Sequence, residues 1–366
     1  MATDIAATII PAASPSDATF AAAEVASSRL RHWLLQGPAQ LRHGAHAGGV
    51  AGSFDEQGQA SYVYAEITGY YLLWLQGLGR YAAPTTVAEA AARGIAWVRR
   101  EFHADAIPAT RIHLTGAHAD WRNEAVFFFD LAMVLRGLAA HAARHPVADL
   151  IANLNGKLAK FVRDDRLDAV RPCIDDATPP PRWSTQPGPF LLKATTAIEP
   201  ARGDEALRAA CARQLQRGLQ VAEHMALDLL HPTLYFAEGL ARCGRAGHKA
   251  ARRILAGCLA HMRHDGALPE HATAGHSKHR NDVAAQALRL GLLLRQLDGH
   301  TDGDASLERL AQGLIARVDA WGQIGLDADH GSATANTWTA MFAEQALRWY
   351  AGRDGDAGMI RPELLV

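Results

Sequence analysis

An all-α fold closed into a ring is predicted by three features of the sequence. Alanine dominates a composition that is 49% apolar and 20% charged, with few β-branched residues, which favours helix. Apolar residues recur at helical spacing in about twelve successive stretches. The connections between those stretches alternate between long and short. Between antiparallel helices, that alternation gathers the long connections at one end. Six helical hairpins in succession then close into an (α/α)6 toroid, an inner ring of helices inside an outer one. An open helical solenoid fits the same alternation and is the alternative.

The helical stretches run over 17–36, 62–80, 84–102, 123–145, 147–163, 189–198, 204–225, 231–243, 246–263, 279–297, 305–320 and 334–352. Start signals support several of them. Pro84 precedes Thr86 and Glu89, which have capping-box spacing. His231-Pro232 puts proline in a first turn, and Ser61 and Ser277 fit N-caps. The connections after odd-numbered helices, 37–61, 103–122, 164–188, 264–278 and 321–333, are rich in Gly, Pro, His and aromatics. Those after even-numbered helices, 81–83, 146, 199–203, 244–245 and 298–304, are short. The segment 226–230 breaks the rule, being short where a long one belongs. Strand signals are nearly absent, and internal repetition is weak, so the ring rests on element order. The 366 residues are many for one compact domain. Because no polar linker interrupts the alternation, the expected organisation is a flexible segment 1–16 and one toroid domain, 17–366.

Long irregular loops on a rigid scaffold are where sites usually sit, so the even-numbered helices, which open beside them, are assigned to the inner ring. They open on SYVYAEITGYY (61–71), DWRNEAVFFFD (120–130), WSTQPGPFLLKA (183–194), HPTLYFAEGLARC (231–243), HSKHRNDVAAQALR (276–289) and ATANTWTAMFAEQALRWY (333–350). Positions four apart share a helix face. Tyr62, Glu66 and Tyr70 therefore align, as do His231, Tyr235 and Glu238, and Asp282, Gln286 and Arg289. Six such faces aimed at one axis line a cavity with tyrosines, tryptophans, carboxylates and arginines. The competing reading is a buried network that closes the ring. Asp120 or Asn123 as a helix cap, Trp183 as core and His231 as an N-cap are its counterparts elsewhere. Gly69, in mid-helix at a cost of about 1 kcal/mol relative to Ala, signals close packing or close ligand approach.

Several functions are excluded. A net charge of −1 supplies no field for nucleic acid or an anionic membrane, and no basic patch carries interleaved aromatics. No GxGxxG, GxxxxGK[ST] or GxSxG motif is present. No apolar run reaches the roughly 18 residues a membrane span requires, and 1–20 does not read as a secretion signal. The four cysteines, Cys173, Cys211, Cys243 and Cys258, have no metal spacing and read as reduced thiols of a cytoplasmic protein. The run 261–282 offers His264, Asp265, Glu270, His271, His276, His279 and Asp282, but no HExxH or other ligand pair. No metal and no cofactor is expected.

The run GGVAGSFDEQGQASYVYAEITGYYLLWL (48–75), with NDVAAQALR (281–289) and NTWTAMFAEQAL (336–347), resembles the (α/α)6-toroid proteins of bacterial polysaccharide gene clusters. The layout is similar to that of glucuronyl C5-epimerases, unsaturated-glucuronyl hydrolases and N-acylglucosamine 2-epimerases. The likeness of layout covers nearly the whole chain, whereas the motif likeness is confined to those short runs. It implies a carbohydrate-active enzyme of exopolysaccharide biosynthesis, with an anionic, uronic-acid-type sugar or glycan as substrate and partners in a glycan-biosynthesis complex. Fold likeness does not assign the reaction.

The residues leave two chemistries open. Hydrolysis requires an acid and a second carboxylate, for which Glu66 with Asp282 or Glu238 qualify. Epimerisation or elimination requires a base and an acid beside a carboxylate-bearing carbon, and Tyr62 and Tyr70 beside Glu66 lean towards it. Substrate contacts are assigned to Arg111, Asp120, Trp121, Arg122, Asn123, Trp183, Lys193, His231, Tyr235, Arg280, Asn281, Gln286, Asn336 and Trp338. Arginine suits carboxylates, and amides suit hydroxyls. A terpene cyclase-like enzyme and a non-catalytic toroid that binds a glycan or a partner are the alternatives.

Overall fold

The computed structural model describes residues 17–102, 109–114, 121–172, 179–196, 198, 204–273, 277–299, 303–330, 334–352 and 360–366. The expected flexible segment 1–16, together with Asp120, Cys173 and His276, lies outside them. Among the described residues there are twelve α-helices. They are α1 (Asp17–Gln36), α2 (Ala65–Gln76), α3 (Pro84–Phe102), α4 (Phe128–His141), α5 (Ala148–Ala159) and α6 (Leu191–Thr195). The second half supplies α7 (Glu205–Val221), α8 (Leu230–Leu240), α9 (Gly244–Leu259), α10 (Asn281–Asp298), α11 (Asp304–Arg317) and α12 (Thr337–Ala351).

The even-numbered helices form a closed inner ring: α2 packs on α4, α4 on α6, α6 on α8, α8 on α10, α10 on α12, and α12 back on α2. Each inner helix has an outer partner, with α3, α5, α7, α9 and α11 packed on the helix before them and α1 on α12. Closure rules out the open solenoid. Burial follows the two layers. In α2 every residue except Gln76 is buried, and in α10 residues 281–294 are all buried, as expected of a helix enclosed on every side. The outer α9 buries only a stripe, Gly247, Ala251, Ile254, Leu255 and Cys258.

The inner pair α2 and α4 meets backbone to backbone. A Cβ at Gly69 would stand 2.5 Å from the Met133 carbonyl, and one at Gly137 2.5 Å from the Gly69 oxygen. Of the two readings open for Gly69, close helix packing is the observed one.

The structure corrects the inner-helix starts. Tyr62, Asn123 and His279 precede their helices, which begin at 65, 128 and 281. Short strands lead in: β1 (Tyr62–Tyr64), β3 (Ala125–Phe127) and β8 (His279–Arg280). They pair antiparallel with β2 (Arg111–His113), β6 (Val170–Pro172) and β7 (Leu268–Pro269), while β4 (Val162–Arg163) and β5 (Arg166–Leu167) form a hairpin. Isolated bridges join Ser53 to Asn336 and Arg280 to Asp327. These pairs tie each long loop to a neighbour, making a collar around one end of the ring. Strands of two or three residues are too short for apolar alternation to reveal.

The proposed caps shift for the same reason. Ser61 and Ser277 are not N-caps, because strand residues intervene; Ser277 Oγ instead accepts from the His271 amide at 2.8 Å. Helix α3 starts at Pro84, which puts Thr86 inside its first turn rather than at a cap. A cap not expected from the sequence is Asp204 of α7, which accepts from the Ala206 and Leu207 amides, while Pro232 occupies the first turn of α8 as expected. No helix of the described residues is long and apolar enough to cross a membrane, and Cys211, Cys243 and Cys258 are free thiols.

Candidate active site

At the collar end the ring opens into a cavity of about 230 Å³. Its walls hold Tyr62, Tyr64, Glu66, Arg111, Arg122, Phe127, Phe129, Asp130, Arg182, Trp183, His231, Tyr235, Glu270, Arg280 and Trp338. Nine of the residues chosen from sequence thus converge: Tyr62, Glu66, Arg111, Arg122, Trp183, His231, Tyr235, Arg280 and Trp338. Tyr62 arrives there by a different geometry from that expected. On strand β1, residues two apart share a face, so Tyr62 and Tyr64 enter together while Glu66 follows from the first turn of α2.

Glu66 and Asp130 are the carboxylates to examine. Both are buried, at 9% and 3% exposure, in the first turns of adjacent inner helices. Burial raises the Glu66 pKa to about 7, against the pull of Lys193 and of the Tyr64, Tyr235 and Tyr70 hydroxyls. The Tyr235 hydroxyl donates to Glu66 Oε1 at 3.4 Å. Asp130 is driven well above the usual carboxylate range, first by burial and then by the negative charge of Glu66, with Thr110 and Tyr64 pulling the other way. Its Oδ2 is buried with no hydrogen-bond partner. Two buried carboxylates that repel each other retain a proton between them. Tyr64 and Tyr235 are pushed well above their ordinary values by burial, with the Glu66 charge adding to the shift. They stay protonated, and so act as donors rather than bases.

Opposite stands a second charged group, already satisfied. Arg280 grips Asp282 with Nε and Nη2 at 3.0 and 2.6 Å and reaches Glu270 at 2.8 Å. The Trp338 indole also donates to Asp282 at 3.1 Å. Burial works to raise the Asp282 pKa, but Arg280, His231 and Trp338 outweigh it and hold the value at about 2. Asp282, fully buried and ionised, has no proton to give near neutrality. His231 Nδ1 faces Gln286 Oε1 at 2.6 Å, and burial lowers its pKa to about 4. The free cationic surface lies elsewhere: Arg111 stacks on the Tyr62 ring at 3.8 Å, its Nε buried and unpartnered, with no ion pair among the described residues.

Three residues expected in the cavity form the layer beneath it. Tyr70, Lys193 and Glu238 sit about one turn deeper, because inner helices descend along the ring axis at about 1.5 Å per residue. Glu238 receives Lys193 at 2.6 Å and Arg289 at 2.7 Å. Both cations also bind the main-chain oxygen of Val366, while the Tyr70 ring packs edge-on against Phe342 at 5.5 Å. Lys193 is therefore engaged below the cavity and not among its lining residues. Other candidates serve the backbone. Asn281 Nδ2 donates to the Gly325 and Asp327 oxygens, and Asn336 caps α12 through Thr339. Gln286 orients His231. Trp121 packs on Phe127, with Arg122 over its ring at 5.1 Å, and Asn123 stays in the adjoining 3-10 turn. The histidine-rich run is divided among ion pairs, Arg263 with Asp265 and Asp329, His279 with Asp329, and His271 with Asp228.

Sequence reasoning missed Asp130, Tyr64 and Arg182. Asp130 closes the quoted run DWRNEAVFFFD, and the signal that finds it is its place in the first turn of α4, matching Glu66 in α2.

Three solved structures superpose on nearly the whole chain. A D-mannose isomerase does so with a TM-score of 0.65 at 14% identity, covering 91% of this chain and 98% of that one. A cellobiose 2-epimerase from Spirochaeta thermophila DSM 6192 has a TM-score of 0.65 at 13% identity, over 91% and 98%. An unsaturated glucuronyl hydrolase specific for heparin has a TM-score of 0.62 at 11% identity, over 92% and 97%. The fold is the (α/α)6 toroid. At such identities the likeness carries the fold alone. The sequence matches no protein-family model and no curated protein.

Proposed function

We propose that this toroid hydrolyses a glycosidic bond beside an acidic sugar residue, with Asp130 as general acid and Glu66 as general base. The observation that carries the reading is the pair of buried carboxylates in one cavity, Glu66 at about 7 and Asp130 well above the ordinary range. Glycoside hydrolysis uses two carboxyl groups, one protonated and one ionised, and repulsion between neighbours produces that division. Asp130 gives its proton to the bridging oxygen as the bond from that oxygen to the anomeric carbon breaks. Glu66 takes a proton from the water whose oxygen bonds to the same carbon. Atoms and charge balance: one water is consumed, and a proton has passed from Asp130 to Glu66. Tyrosines held above their ordinary pKa argue against the epimerase or lyase chemistry that requires a phenolate.

The anionic substrate is supported by Arg111, which lines the cavity beside its aromatic rings and carboxylates and has a buried Nε without a hydrogen-bond partner. Trp183, Phe129 and Tyr235 offer faces for a sugar ring. At about 230 Å³ the cavity falls below the roughly 300–1,000 Å³ of drug-sized sites, a match for one sugar ring. One neighbour of the same fold is described as an unsaturated glucuronyl hydrolase, chemistry consistent with this assignment.

The test is incubation with oligouronates in heavy water, read by mass spectrometry and NMR. Shortened chains in the wild type, lost in both Glu66→Gln and Asp130→Asn while melting curves persist, support hydrolysis. Deuterium at a sugar carbon without cleavage, or a new double bond, refutes it in favour of epimerisation or elimination.

A further inference from the structure

Beside the cavity, across a thin wall, lies a second recess of about 560 Å³. The wall is the 3-10 turn at 183–185 with the residues on either side of it. Arg182, Trp183 and Ser184 face the cavity, whereas Thr185 and Pro187 face the recess. The β3–β6 pair continues the same division, with Phe127 on the cavity side and its register partner Val170 on the other. The recess is therefore a neighbour of the candidate site, built by the same loop.

Its charge is one-sided. Among the described residues, Lys160, Arg163 and Arg171 line it against a single carboxylate, Asp168, which pairs with Arg163 at 2.9 Å. Lys160 is exposed and its ammonium has no partner among the described residues. Arg171 contacts the main-chain oxygen of Lys160 through Nη1, leaving further N–H groups of its fork for a ligand. The floor is held by the β4–β5 hairpin and by Phe161, Leu167 and Ala169, all buried. The cations themselves, Lys160, Arg163 and Arg171, are exposed at the rim of that floor, within reach of a ligand from solvent.

We propose that this recess is a second subsite, which binds acidic sugar residues of a polymeric substrate beyond the one held in the cavity. The inference rests on the reading of the cavity as a site for an anionic glycan and extends it to a chain several residues long. Its ligand class follows from the lining. Guanidinium and ammonium groups suit carboxylates or sulfates. Among the described residues the recess lining contains no aromatic ring on which nucleic-acid bases could stack, so a glycan is favoured over an oligonucleotide. The recess has more than twice the cavity's volume, consistent with a run of residues outside the reacting one.

Binding of size-defined oligouronates, two and eight residues long, is measured by calorimetry on the full chain, alongside a neutral octasaccharide and a single-stranded octanucleotide. The wild type is expected to bind the octamer at least about tenfold more tightly than the dimer. The double variant Lys160→Glu/Arg171→Glu should lose about 10- to 100-fold on the octamer and nothing on the dimer. Lys160→Glu alone, which removes no contact the fold uses, should show part of that loss. Equal affinity for dimer and octamer, an octamer affinity indifferent to these substitutions, or an octanucleotide or neutral octasaccharide bound as tightly as the octamer, overturns the subsite. Octamer binding that is sensitive to the variants, without dimer binding, upholds the subsite and instead refutes the cavity reading. Binding of neither oligouronate refutes both.

Discussion

Replacing Glu66 with glutamine should stabilise the protein at alkaline pH while abolishing turnover, and the size of the effect can be worked out. The folded pKa is raised from 4.5 to about 7, with burial the largest cause. A raised carboxylate favours the folded state when protonated, so its contribution is complete below about 4.5 and is lost as pH rises through about 7. At 1.36 kcal/mol per unit, the ionised Glu66 costs the native state about 3 kcal/mol at pH 8 and under about 1 kcal/mol at pH 5. Glutamine carries no such cost and keeps a carbonyl acceptor for the Tyr235 hydroxyl. Any penalty for its amide nitrogen applies equally at both pH values, so the pH-dependent gap of about 2.5 kcal/mol is the diagnostic quantity. With about 2–4 °C per kcal/mol in domains of 150–250 residues, and less in longer ones, the variant's melting temperature should gain several degrees on the wild type between pH 5 and pH 8. Differential scanning calorimetry at the two pH values reads it directly. A variant whose melting temperature runs parallel to the wild type across that range would refute the buried, proton-holding Glu66.

Three other outcomes follow from the same geometry. The pH profile of wild-type kcat/KM should rise with a limb near pH 7 as Glu66 ionises and fall only where Asp130 gives up its proton; a flat profile between pH 5 and 8 contradicts the assignment. Arg111→Ala should raise KM for an acidic substrate about 10- to 100-fold, the worth of a charged hydrogen bond of roughly 1.5–3 kcal/mol, and leave a neutral analogue unaffected in the same steady-state assay. Glu238→Ala, which strands Lys193 and Arg289 in the layer below, should cost about 3–5 kcal/mol, seen as a large drop in urea midpoint.

The ring was legible because its signals are long. Helical spacing over ten or more residues and the alternation of loop lengths both survive errors of a few positions, and α1 and α3 have the boundaries read from sequence. The mouth was less legible. The leads into α2, α4 and α10 are strands of two or three residues, whose extended form depends on partners far along the chain, such as Tyr62 opposite His113. Treating 62–70 as one helix put Tyr62 in the cavity for the wrong reason and concealed Tyr64. The depth of a residue along the ring axis is likewise invisible to periodicity. Glu66 and Tyr70 share a face, yet one lines the cavity while the other lies under it. Asp282 and Glu238 were singled out as acidic groups on inner helices, but only tertiary pairing reveals that arginine and lysine have already engaged both. Asp130 has no such partner, and starting its helix at 123 instead of 128 hides its place in the first turn of α4.

The contact between Gly69 and Gly137 has a consequence for stereochemistry. Glycosidases with carboxyl groups about 5–5.5 Å apart retain configuration, and those about 6.5–9.5 Å apart invert it. Here Glu66 and the proposed acid Asp130 sit on two helices whose backbones meet less than one turn beyond Glu66, at Gly69, and at the second turn beyond Asp130, at Gly137. A methyl group at either glycine would act as a shim between the rods. On the proposed mechanism, the two hydrogen-only side chains would act as a gauge of the gap between the two carboxyl groups from below the cavity.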